Sequence, residues 1–272
     1  MVVALGAAGV SAPAAAFVRA AVDGKPNVFL YWPARRLTYY VHEKGSGDVP
    51  LRETLGAVKR SFYAWASPSC TDITFDFGGT TPLNRTNISL GKGEKPDMKN
   101  VLVWREERWP PTGVTDASVT TEMAAITILI YNNDTGELVD ADMDLNGYNF
   151  FWSSTEDKTK ITTDIQNVVT HEVGHILGLG HVDDDKATMY TKTPQGETDK
   201  RSLEADDVAG VCFVYPFAGT TPTGKGQQVP SIDVQGGCAV GGQAPPWGML
   251  LALFALLSLL GVGLRRLARL GA

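Results

Sequence analysis

Histidine is scarce in this 272-residue chain: there are four, and three fall within residues 171–181. Cysteine is scarcer still, with three. Basic charge is in short supply too. Twenty-four Lys and Arg against 30 Asp and Glu leave a net charge of −6, and no basic patch interrupts the middle of the chain. That excludes the electrostatic footprint of a nucleic-acid binder, so no nucleic-acid partner is expected. No charge appears before Arg19, and none between Trp247 and Leu264. Hydrophobic residues make up 43%, ordinary for a globular protein but concentrated at the two ends. The length suits one sizeable domain with appendages.

The histidine-rich window reads His171-Glu172-Val173-Gly174-His175-Ile176-Leu177-Gly178-Leu179-Gly180-His181. His171 and His175 are four apart, so on a helix they share one face and can grip one ion. Gly178 lets the chain leave the helix sharply, and His181 then returns as a third ligand. Three protein ligands leave a fourth position for water, the arrangement of a catalytic zinc site rather than a structural one. Glu172, beside the first ligand, is placed to take a proton from a metal-activated water.

The window resembles the zinc motif of the metzincin metalloproteases, His-Glu-x-x-His-x-x-Gly-x-x-His followed by a Met-turn. Ala187-Thr188-Met189-Tyr190 follows the third histidine, and Met189 matches the methionine that floors the metal in that clan. The resemblance implies an α+β metzincin-type catalytic domain: a twisted mixed β-sheet, an active-site helix and a C-terminal helix. It also implies a zinc metalloendopeptidase acting on protein or peptide substrates, with one catalytic Zn2+. A degenerate metzincin scaffold serving binding or adhesion is the alternative.

Residues 1–16 read as the apolar core and small-residue end of a secretory signal, without its basic leader; an Ala-rich tail is the other reading. The run 247–264 is long enough for a membrane-spanning helix, and Arg265, Arg266 and Arg269 after it place the end of the chain in the cytoplasm. Gly236-Gly237-Cys238 lies upstream in a Gly/Pro-rich stretch. Cysteine motif, apolar helix and Arg cluster together resemble the C-terminal sorting tails of myxobacterial surface proteins. That resemblance implies processing and anchoring at Cys238; a plain tail-anchored protease, with Cys238 a spare thiol, is the alternative. The expected division is 1–19 signal, 27–216 catalytic domain, 217–246 linker, 247–264 transmembrane helix and 265–272 cytoplasmic tail. The protein is thus expected to be exported and held at the cell surface. With Cys238 assigned to the tail, Cys70 and Cys212 are left as a pair, either one disulfide or two buried thiols.

Periodicity predicts a strand within 27–42, a helix over 51–66, strands at 71–77, 100–104 and 124–131, a turn at 132–136 and an edge strand at 137–146. A helix over 161–178 carries the zinc motif. Within the metzincins this order resembles the matrixin-type peptidases over about 27–215, with 202–211 similar to their final helix. The edge strand at 140–146 would bind substrate backbone by strand addition, or simply be made soluble by Asp140, Asp142 and Asp144. Outside the motif only His42 remains, so the second, structural zinc of the animal matrix metalloproteases is not expected, and no cysteine precedes Cys70 to act as their propeptide switch. Asp183-Asp184-Asp185, and Asp134, Asp140 and Asp142, are either a Ca2+ site or solvated acidic loops. Tyr190 is expected to wall the specificity pocket or pack.

Overall fold

The computed structural model describes residues 17–86, 95–112, 114, 119–222 and the backbone of 237–239. Short strands β1 (Val18–Arg19), β2 (Ala21–Val22) and β3 (Lys25–Phe29) open the chain, followed by β4 (Arg36–His42) and helix α1 (Leu51–Ala66). Then come β5 (Thr74–Thr81), β6 (Asn100–Trp104), β7 (Met123–Tyr131), β8 (Leu138–Leu145), β9 (Trp152–Ser153) and β10 (Thr163–Asp164). Helix α2 (Ile165–Ile176), β11 (Leu179–Gly180), a 3-10 turn at Asp199–Arg201, helix α3 (Ala205–Val214) and β12 (Gly237–Ala239) complete it. The architecture is α+β and of metzincin type, as expected.

The main sheet has the order β12-β7-β8-β6-β4-β5. β5, β4, β6 and β8 run parallel, and β7 turns back antiparallel on β8. Parallel neighbours need a long crossover, and α1 supplies it between β4 and β5. α1 forms because Leu55, Val58, Phe62 and Trp65 recur at three- and four-residue intervals, giving one apolar stripe. Val58, Phe62 and Trp65 are buried in the core shared with the sheet and α2. Trp65 is wholly enclosed, and its Nε1 donates to the Thr170 carbonyl on α2 at 2.7 Å, tying the two helices together.

Three expectations need correction. The segment 137–146 is a strand but not an edge: β8 pairs with β7 on one side and β6 on the other. Its alternating aspartates do not meet solvent. Asp140, Asp142 and Asp144 are buried, because Thr86, Met98, Val101 and Arg105 supply them with donors. Met98 N donates to Asp140, Val101 N to Asp142, and Arg105 to Asp144 at 2.7 Å, with Thr86 adding a hydroxyl. Burial raises the Asp144 pKa, and the Arg105 guanidinium opposes that shift.

The fold also begins earlier than residue 27. β1 pairs with β11, and Arg19 is buried, its Nη1 donating to the Pro222 carbonyl at 2.6 Å. Residues 17–19, assigned above to the signal, are therefore part of the folded unit. Finally, the helix carrying the histidine motif is shorter than 161–178. Asp164 caps it by accepting from Asn167 N at 2.8 Å, and Gly178 lies beyond its end.

Cys70 and Cys212 are joined in a disulfide, Cα–Cα 5.3 Å, which ties the chain before β5 to α3. The run 247–264 lies outside the described residues; among those described, no helix is long and apolar enough to cross a membrane. The bridge spans 142 positions, so in the loop-entropy picture it stabilises the fold by about 4–5 kcal/mol. The double substitution Cys70→Ser, Cys212→Ser should lower the urea unfolding free energy by roughly that amount.

Candidate metal centre

The site is assembled on α2. With Asp164 capping its start, the helix places His171 and His175 on one face, one turn apart. Its C-terminal carbonyls would otherwise be orphaned in the core. Trp32 Nε1 donates to the Ile176 carbonyl at 2.7 Å, and the Tyr215 hydroxyl donates to the Leu177 carbonyl at 2.9 Å. Gly178 then takes φ +81°, and a Cβ there would lie 2.5 Å from the Leu30 carbonyl oxygen. The chain can turn here only without a side chain. β11 follows, held by β1, and delivers His181 back toward the helix.

The three Nε2 atoms form a near-equilateral triangle, with edges of 3.2, 3.2 and 3.1 Å. His171 Nδ1 lies 2.6 Å from the Thr188 carbonyl, and His175 Nδ1 lies 2.9 Å from the Leu179 carbonyl. A carbonyl can only accept, so each Nδ1 carries the proton and each Nε2 presents a lone pair. Lone pairs facing one another at 3.2 Å repel, and a cation between them removes the repulsion. Nitrogens 2.0–2.1 Å from a tetrahedral zinc lie about 3.3 Å apart, close to the edges seen. The donor set therefore fits zinc. Burial also keeps the ligands neutral. It pushes His171 well below the usual histidine range, His175 down to about 4 and His181 down to about 3. Among the described residues, these three are the one cluster of three His, Cys, Asp or Glu side chains able to share an ion.

Met189 is buried beneath α2, where Gly174 leaves it room. The Met-turn is closed by Val182 N donating to the Met189 carbonyl at 3.1 Å. Two residues that local sequence patterns did not reveal complete the site. Asp207 on α3 accepts from Thr188 N at 2.8 Å and Met189 N at 3.2 Å, clamping the turn that supplies the carbonyl for His171. A carboxylate in the first turn of a helix is a capping signal, and here Asp207 serves both the capping box and the Met-turn. Thr127 on β7 donates its hydroxyl to Glu172 Oε2 at 2.6 Å. No local pattern announces that contact.

The other expected residues are placed less centrally. Tyr190 is half-buried and packs near the Lys200 ammonium, which its carbonyl accepts from at 2.8 Å. Asp183, Asp184 and Asp185 are exposed on a loop, and Asp184 accepts from Lys186 N. Asp134 is exposed and pairs with Lys25. His42 is buried away from this cluster, its Nδ1 accepting from Lys44 N. Cys238 is described in its backbone alone, within β12.

Residues 114–216 match the matrixin family of M10 peptidases. Over that stretch the chain is similar to matrixin. The chain is 44% identical over 57 residues to Metalloendoproteinase 1-MMP of Arabidopsis thaliana, covering 21% of this chain and 15% of that protein. To Metalloendoproteinase 2-MMP of the same plant it is 26% identical over 225 residues, 79% of this chain and 50% of that protein. Human Matrilysin is 41% identical over 46 residues, 17% of each chain. The chain thus spans half or less of the length of these relatives.

Gly174 offers a direct check on the floor of this matrixin-like site. A Cβ there would lie 2.2 Å from Met189 Sδ and 2.8 Å from the Trp65 ring. Gly174→Ala should cost about 1–3 kcal/mol by overpacking and weaken zinc retention. A urea midpoint and a chelator-competition titration measure the two effects.

Proposed function

We propose that the chain is a zinc-dependent endopeptidase that hydrolyses peptide bonds with Glu172 as general base. The observation that carries this reading is the triangle of neutral imidazoles, with Glu172 on the same helix and fixed by Thr127. When bound, zinc supplies a Lewis acid that polarises a carbonyl and lowers the pKa of water toward about 7.

The remaining work belongs to the chain. His171, His175 and His181 hold the ion, their orientation set by main-chain acceptors in the manner of an outer shell. Glu172 accepts the proton of the attacking water and passes it to the leaving amine, so no covalent enzyme intermediate is required. Thr127 holds one carboxylate oxygen, which leaves Glu172 fewer rotamers in which to stray. An extended peptide would pair with the β7 edge, the role assigned above to 140–146 and moved here because β8 is interior.

Export and surface retention form part of the same reading. The disulfide suits an oxidising compartment, and the uncharged run 247–264 followed by Arg265, Arg266 and Arg269 suits a membrane tether.

The test uses the purified chain, its zinc content and a casein or peptide-library assay. One zinc per chain is expected, with cleavage lost to a chelator and restored by added zinc. Glu172→Ala should retain the zinc and lose about 10²–10⁴-fold in kcat. A chain that holds one zinc and cuts no peptide overturns the reading in favour of a binding scaffold. For Thr127, replacement by Val should lower kcat by about tenfold with KM nearly unchanged, and Thr127→Ser should restore most of it. Equal losses in both variants would show that Thr127 merely packs.

A further inference from the structure

β7 has β8 on one side and the tail of its own chain on the other. β12 runs antiparallel to it, with Gly237 opposite Ile126 and Ala239 opposite Met123. The same three-residue strand lies against α2, the helix that bears His171 and His175. Ile126 precedes Thr127, whose hydroxyl holds Glu172. The tail backbone therefore runs between the sheet edge and the metal-site helix, where an extended peptide would have to enter.

We infer that residues 237–239 are an intramolecular occupant of the substrate edge, competing with peptide substrates by strand addition. This rests on the endopeptidase reading for its consequence, though not for the pairing itself. Main-chain pairing is indifferent to side-chain identity, so a short strand can fill an edge that must also accept many peptides.

Reach and magnitude both allow it. Fourteen residues lie between Pro222 and Gly237, and an extended stretch of that length covers up to about 50 Å. A three-residue strand pairs weakly by itself, yet a tether of this kind gives an effective concentration on the order of millimolar. Peptidase substrates commonly have KM values from about 1 μM to 1 mM, so the tail competes with the weaker ones and yields to the stronger. The occupant thus acts as a filter on substrate affinity rather than as a permanent block.

The experiment compares the full zinc-loaded chain in detergent micelles with the double variant Gly237→Pro, Ala239→Pro, which removes two main-chain donors from the tail. Hydrogen exchange at Met123–Ile126 is read alongside cleavage of a weakly bound peptide. The variant is expected to exchange faster at these amides. Its KM should fall at least about threefold with kcat unchanged, as occupancy of the competent state rises. A synthetic peptide spanning 231–241, added to the variant, should restore both the protection and the higher KM. Unchanged exchange and unchanged KM would overturn the inference. If neither chain cleaves any peptide while the exchange difference persists, the pairing stands and the endopeptidase reading fails.

Discussion

Two hydrogen bonds govern this structure, those from His171 Nδ1 to the Thr188 carbonyl and from His175 Nδ1 to the Leu179 carbonyl. Each fixes a tautomer and aims an Nε2 lone pair at a common point. Each also depends on chain remote from the helix. The Thr188 carbonyl is in place because Asp207 on α3 holds the neighbouring N–H groups, and α3 is bound through Cys212 to Cys70. The Leu179 carbonyl is in place because Gly178 permits the turn and β1 pairs with β11. The beginning and the end of the domain are both recruited to orient two imidazoles on one helix.

That arrangement carries an electrostatic cost. The Nε2 lone pairs of His171 and His175, held 3.2 Å apart, repel, and burial disfavours the protonation that would relieve them. Metal binding at this cluster would therefore be coupled to folding. The coupling is local. α2 is anchored by Trp65 at Thr170 and by Trp32 and Tyr215 at its C-terminal carbonyls, contacts that involve no ligand.

What the sequence made legible was local. α1 follows from an apolar stripe, β6 and β7 from short β-rich runs, and the three clustered histidines from spacings of four and six on a helix and its turn. The misreadings arose where a long-range partner decides the outcome. Asp140, Asp142 and Asp144 alternate as solvent-facing residues of an edge strand would, and only their donors at Met98, Val101 and Arg105 show that they are buried acceptors. β1 is two residues long and carries no periodicity, so the domain's first strand was hidden at the end of an apolar run. Thr127 and Glu172 are 45 positions apart, and a lone threonine in a β-rich run has no distinguishing pattern. The helix start was recoverable, since Asp164 stands before the apolar run as a cap should.

β7 joins two functions in one rigid element. The hydroxyl of Thr127 fixes Glu172, while the outer main chain of the same strand offers the donors and acceptors for an extended chain. On the endopeptidase reading, a peptide paired there would take its register from the strand that also positions Glu172. The distance between Glu172 and a scissile bond would then be governed by a single strand rather than by two elements that move separately, and proximity effects are sensitive to errors of about 1 Å. β8 secures β7 along seven paired positions on its inner side, so the strand cannot slide without breaking the sheet. Burying the acidic strand β8 inside the sheet is therefore what makes an accurate outer edge available.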